Sequence, residues 1–231
     1  MTSARFIGWA AVTLACLPAG AAANASELSA EIGLVSDYRY RGLSLSDKKP
    51  AIQGSATFEH DSGFYAEAWS STIGGPDVDA DAELDLTAGY ALDISDHLSL
   101  DMSGTYYLYP GEPGANYVDG TISLGLTQGR AAGRIGLSFA PKQKGTEDDG
   151  GKKSSNSYAF AGASYELEKL PLTLNAELGY EQGAFDEAPD GGKWDWQVGA
   201  ELKLEPARIG LAYVGSDIGD DAMVASLFLE F

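Results

Sequence analysis

The chain closes on the stretch Ala222 to Phe231, AMVASLFLEF, and stops on an aromatic side chain. Met223, Ala225, Leu227, Leu229 and Phe231 recur at every second position, with Glu230 between the last two. A strand turns successive side chains to opposite faces, so this is one apolar face carried to the final residue. On a soluble protein such an edge is a template for aggregation. In a membrane barrel the same strand closes against the first one and turns its apolar face to lipid. Few other architectures tolerate that ending.

The opposite end reads as a targeting segment. MTSAR gives a positive start through Arg5, FIGWAAVTLACL is an apolar run short of a bilayer span, and PAGAAANA supplies small residues for cleavage. Ala21 and Ala23 predict removal of residues 1–23 as a signal peptide, with a second cut allowed after Ala25, leaving 24–231 as the mature barrel. Cys16, the only cysteine, would leave with it, so no disulfide and no thiol chemistry are expected. The chain carries 34 acidic against 15 basic residues, which excludes nucleic acid as a partner. The 29 glycines and 12 tyrosines against 9 prolines suit many short strands rather than helices.

From Glu27 onward the alternation at two recurs throughout. In the first run Leu28, Ala30, Ile32, Leu34, Tyr38 and Tyr40 share one face, while Glu31, Gly33, Asp37, Arg39 and Arg41 share the other. Further runs fall at 51–60, 64–73, 82–94, 98–109, 117–127, 134–141, 157–167, 172–185, 194–204, 208–215 and 222–231. The connections alternate between short ones (61–63, 95–97, 129–133, 168–171, 205–207) and longer polar ones (44–50, 74–81, 111–116, 143–156, 186–193, 216–221). Outer-membrane barrels have that rhythm, with short periplasmic turns, longer outer loops and an even strand count. The prediction is an all-β transmembrane antiparallel up-and-down barrel of about 12 strands, both termini periplasmic. Aromatic residues at strand ends predict two interfacial girdles, with Tyr38, Tyr40, Trp69, Tyr106, Tyr109, Trp194 and Trp196 by the longer loops and Phe231 at the other end.

The stretch Val35 to Ile73 resembles the opening of the TorF family of porin-type proteins of Proteobacteria. The resemblance rests on SDYRYRG-[LS]-x-S, P-x-[IL]-Q-G and GFY-x-[EG]-x-W, matched at Ser36–Leu43, Pro50–Gly54 and Gly63–Trp69. It implies an outer-membrane barrel with pore activity and names no substrate. The C-terminal pattern also resembles the signal read by barrel-assembly machinery, one partner to expect beside outer-membrane lipid and lipopolysaccharide.

If apolar positions face lipid, the alternate positions line the lumen. Those are Asp37, Arg39, Arg41, Gln53, Glu59, Glu67, Asp85, Asp101, Asp119, Arg134, Glu177, Glu201 and Lys203. Carboxylates outnumber basic groups, so a pore lined this way favours cations or neutral small solutes. Twelve strands lie between a filled interior and a wide channel, so a narrow passive pore and a plugged barrel with a structural or surface role both fit. Arg39 and Arg41 either line a constriction or bridge to Asp37 and Glu59. Asp77, Asp79 and Asp81 begin like a calcium loop, but Ala82 and Ala88 stand where its Gly and closing Glu belong, so no metal or cofactor is expected. Glu147, Asp148 and Asp149 read as an exposed loop cluster. The histidines, His60 and His97, fall at predicted turns with no serine pattern at membrane depth, which argues against an enzyme. A monomer is expected, because no long apolar loop asks for a partner.

Overall fold

The structure is a computed structural model that describes residues 26–74, 80–148, 150–188 and 191–231. The predicted signal peptide, Asp77, Asp79 and Asp149 lie outside those residues. The chain runs through β1 (Ser26–Val35), a miniature hairpin of β2 (Arg39–Tyr40) and β3 (Leu43–Ser44), then β4 (Ala51–His60), β5 (Phe64–Thr72) and β6 (Ala82–Ser95). It continues with β7 (Leu98–Leu108), β8 (Tyr117–Gln128), β9 (Ala131–Ala140), β10 (Asn156–Glu166) and β11 (Leu172–Gly183). The last three strands are β12 (Lys193–Leu204), β13 (Ala207–Ser216) and β14 (Ala222–Glu230). A 3-10 turn at Lys144–Thr146 is the one helical element among the described residues.

All strands but β2 and β3 form one closed antiparallel barrel of twelve, each beside its sequence neighbour, with β14 returning to β1. Closure gives every barrel strand a neighbour on both sides and leaves no open sheet edge. Glu31 to Val35 pair with Glu230 to Ser226 along the seam. Phe231 completes it: its N–H donates to the Ala30 carbonyl at 2.8 Å, and the Ala30 N–H to the Phe231 carbonyl at 3.2 Å. The terminal apolar strand therefore does close the barrel.

The faces separate by parity. Leu28, Ile32, Leu34, Ile122, Ile135, Leu137, Val198 and Leu211 point outward and are exposed, as an apolar belt requires. Gln53, Asp85, Thr87, Asp101, Asp119, Glu201 and Arg208 point inward and are buried. The registered partners of Glu31 run through Ser55, Trp69, Asp85 and Tyr107 to Tyr117. That path climbs from mid-strand in β1 to the loop end of β8, so the strands tilt strongly and side chains from different positions meet at one height.

The aromatic prediction needs correction at four positions. Tyr106 and Trp194 face outward near the longer loops, Trp196 shares their parity, and Phe231 is 75 % exposed. Tyr38, Tyr40, Trp69 and Tyr109 turn inward instead. Trp69 is in phase with inward Glu67 on β5, and Tyr109 is in phase with inward Tyr107, so strand parity places both inside. Tyr38 and Tyr40 lie beyond the end of β1, where the chain bends at Ser36 and folds into the barrel mouth.

Candidate functional site

The site begins with the turn Arg41–Gly42, which joins β2 to β3 with φ of +48° and +84°. A two-residue turn with both φ positive matches the right-handed strand twist and forms a tight hairpin. Gly42 is required there: a Cβ would stand 2.5 Å from the Gly215 carbonyl oxygen on β13. Arg39 and Tyr40 register with Ser44 and Leu43. Asp37 is the knot of this loop, accepting hydrogen bonds from Arg39 Nε and Ser44 Oγ, both at 2.6 Å, and from Ser46 Oγ at 3.2 Å. The Ser46 hydroxyl also accepts the Tyr38 N–H at 2.9 Å, and its one proton is shared between Asp37 and the Lys49 carbonyl, the latter at 2.7 Å. Ser36 pins the base to β14 through its N–H to the Ala225 carbonyl and its Oγ from the Ala225 N–H, each 2.9 Å.

The three sequence segments that carried the family resemblance meet at this base. Tyr38 of the first packs on Trp69 of the third, with ring centroids 5.4 Å apart. Gln53 of the second donates to Ser71, the inward neighbour of Trp69, at 3.3 Å. Tyr38 and Tyr109 both donate to Glu83, at 2.8 and 2.9 Å. Burial and the neighbouring Glu83 push the Tyr38 phenol up, so it stays a donor.

At the hairpin tip Arg41 crosses the lumen. One of its Nη atoms donates to Glu181 on β11, and the other lies 3.8 Å from Asp119 on β8. Its guanidinium sits 4.1 Å over the Tyr158 ring of β10 and 4.7 Å over Tyr40. Glu181 is held in turn by Lys193 of β12 at 2.7 Å and by Asn156 Nδ2 at 2.9 Å. Tyr40 and Tyr107 join hydroxyls at 3.3 Å, and Tyr107 stacks on Tyr117 with centroids 4.3 Å apart. The hairpin is thus tied to the wall by buried charge and by rings.

Below the tip lies a cavity of about 100 Å³, lined from above by Tyr40, Arg41 and Gly42 and from the wall by Asp101, Arg134, Glu177 and Asp195. That is room for several waters or one small solute. Arg134 pairs with Glu177 at 2.6 Å. Asp101 accepts from Tyr65 at 3.3 Å and Asp195 from Tyr158 at 3.0 Å, yet the second oxygen of each is buried without a hydrogen-bond partner. At the turn end Arg208 gathers three carboxylates from three strands: Glu31 of β1, Glu201 of β12 at 2.9 Å and Glu230 of β14 at 2.6 Å. Lys203 lies 3.5 Å from Glu230.

The structure places Gln53, Glu59, Glu67, Asp85, Asp101, Asp119, Arg134, Glu177, Glu201 and Lys203 on inward positions of barrel strands. Asp37, Arg39 and Arg41 belong to the hairpin rather than to the first strand. Arg39 bridges Asp37, as one of the two expected arrangements has it, and also donates to the Gly42 carbonyl at 3.0 Å and to the Asp220 carbonyl. Glu59, one residue before the end of β4, registers with Glu27 at the far end of the barrel, while the two arginines pair with Asp37 and Glu181. Glu181, Lys193, Asp195 and Arg208 were absent from the lumen residues read from the sequence, although each follows from the parity of its strand. His97 sits in an exposed turn, and His60 is the half-buried last residue of β4, beside one. Ser62 meets His60 Nδ1 through both its hydroxyl and its backbone N–H, which is a turn cap.

No curated protein matches the chain in sequence. Among solved structures, the NanC porin shares the fold at a TM-score of 0.59 with 11% identity, over 88% of this chain and 98% of that one. A membrane protein from work on in-meso crystallization has a TM-score of 0.57 and 14% identity, over 88% of this chain and 83% of that one. At such identities the likeness is one of fold. The family that matches is not described under the TorF name that the N-terminal motifs suggested. Its model covers residues 19–228, and the chain belongs to that family, described as bacterial protein of unknown function (Gcw_chp).

Proposed function

We propose that this chain is a narrow outer-membrane channel for small solutes, leaning toward cations, whose outer mouth is narrowed by the inward-folded hairpin at 36–50. The observation that carries the reading is the polar cavity beneath the hairpin tip. A barrel that served only as a rigid peg would be expected to fill that space with side chains. Asp101 and Asp195 face the cavity, while Arg41 and Arg134 are each committed to a carboxylate, so the field left over is negative. The apolar outer belt and the seam closed by Phe231 support placement in the outer membrane, with the turns and both ends of the barrel chain periplasmic. Assembly through the C-terminal strand and a monomeric state complete the reading.

The plugged barrel is the second reading, and the buried Arg41–Glu181–Lys193 network favours it. The two are separated by swelling of proteoliposomes in isotonic small solutes that are neutral, cationic or anionic. Swelling with neutral and cationic solutes ahead of anionic ones is expected of the channel. No swelling above protein-free liposomes, from protein shown to be folded by circular dichroism, leaves the plugged barrel.

A further inference from the structure

We propose that the cavity beneath the hairpin is a binding site for small organic dications, linear aliphatic diamines in particular; this deepens the channel reading by naming a solute class. Asp101 stands on β7 and Asp195 on β12, five strands apart the shorter way round the barrel and so on nearly opposite walls. Both line the one cavity. They are 4 % and 6 % exposed, and each leaves one carboxylate oxygen buried with no hydrogen-bond partner.

A buried carboxylate oxygen without a donor is costly, and the wall does not supply one. The cations nearest the cavity are spoken for: Arg39 by Asp37, Arg41 by Glu181 and Arg134 by Glu177. Among the described residues neither Asp101 nor Asp195 has an ion-pair partner; tyrosine hydroxyls serve their other oxygens. Two acceptor-only groups on facing walls match a solute with N–H donors and positive charge at both ends. Tyr158 and Phe160 also line the cavity; the Arg41 and Arg134 guanidinium groups cover one face of each ring, so the apolar stem meets what the two rings leave uncovered. A monoamine answers one carboxylate only, and an anion meets both.

The test is calorimetric titration of the refolded protein in detergent with 1,4-diaminobutane, butylamine and sodium chloride, which needs no conductance. Diaminobutane is expected to bind at least tenfold more tightly than butylamine. Asp101→Asn and Asp195→Asn are each expected to weaken it roughly tenfold to hundredfold, the loss of one charge-assisted hydrogen bond. Equal affinity for the two amines on the wild-type protein overturns the proposal without any variant. So does diamine binding that survives both substitutions, or heats no larger than those of sodium chloride. Diamine binding by a barrel that passes no solute keeps the site and removes the channel; solute flux without diamine binding does the reverse.

Discussion

Arg41 is the side chain on which the hairpin's position turns, and its replacement by alanine has a calculable consequence. Its side chain is 9% exposed and meets Glu181, Asp119 at 3.8 Å and the faces of Tyr158 and Tyr40. Truncating one partner of a buried ion pair costs about 3–5 kcal/mol. Lys193 stays on Glu181 at 2.7 Å in the variant, so the lower end, about 3 kcal/mol, applies. That shifts the balance between seated and displaced hairpin by roughly 150-fold. A hairpin displaced about 1 % of the time would then be displaced more than half of it. Single-channel recording of Arg41→Ala should show long-lived openings that are rare in the wild type. Arg41→Lys, which keeps the charge but loses the planar fork and the stacking, should fall between. Gly42→Ala should open the channel by another route, since its Cβ meets the Gly215 carbonyl. Folded Arg41→Ala with wild-type open probability and step size would refute the reasoning.

Other consequences follow from the same contacts. Arg208→Ala leaves Glu31, Glu201 and Glu230 facing one another across the seam and should lower barrel stability by about 3–5 kcal/mol, read from urea unfolding in detergent. Deleting Phe231 removes both hydrogen bonds to Ala30 and should slow formation of the heat-resistant folded band on electrophoresis, while an unchanged rate would remove the seam from the account. Lys48 hydrogen-bonds the exposed Asp220 and holds its carboxyl below the usual range. A lowered folded value means the clasp contributes above the ordinary aspartate pKa of about 3.9 and is lost as pH falls through the lowered one. An NMR titration should find Asp220 low in the wild type and near the ordinary value in Lys48→Ala. In the Asp186 loop, burial pushes that carboxyl up, but N–H donors from Gly183, Gly192 and Ala188 outweigh it and hold it low, so Asp186→Asn should loosen the loop at neutral pH, seen as faster amide exchange at Gly192.

The barrel was legible because period-two alternation is a local signal and closure follows from an apolar strand that needs a partner. The inward hairpin was not. Tyr38 and Tyr40 continue the alternation of β1, and only tertiary contacts, Tyr38 on Trp69 and Arg41 on Glu181, turn them into the mouth. Trp69 and Tyr109 were misread for a different reason: their position at strand ends was weighed above a parity that already set Glu67 and Asp101 inward. Arg208 escaped notice as a strand's opening residue, and its importance appears only when register brings Glu31, Glu201 and Glu230 around it. The YRG turn was the missed clue, since Gly after a residue that can take positive φ marks a tight hairpin.

The central claim is that the hairpin stands in a conducting, cation-preferring lumen. Its most direct test is the single-channel current of refolded protein in a planar bilayer under a salt gradient, compared with a variant in which residues 38–45 are replaced by a short Gly-Ser link. Larger discrete steps from the variant, with a reversal potential of the cation-selective sign in both proteins, are the expected result. Silence from both folded barrels, or anion selectivity in the variant, would contradict it.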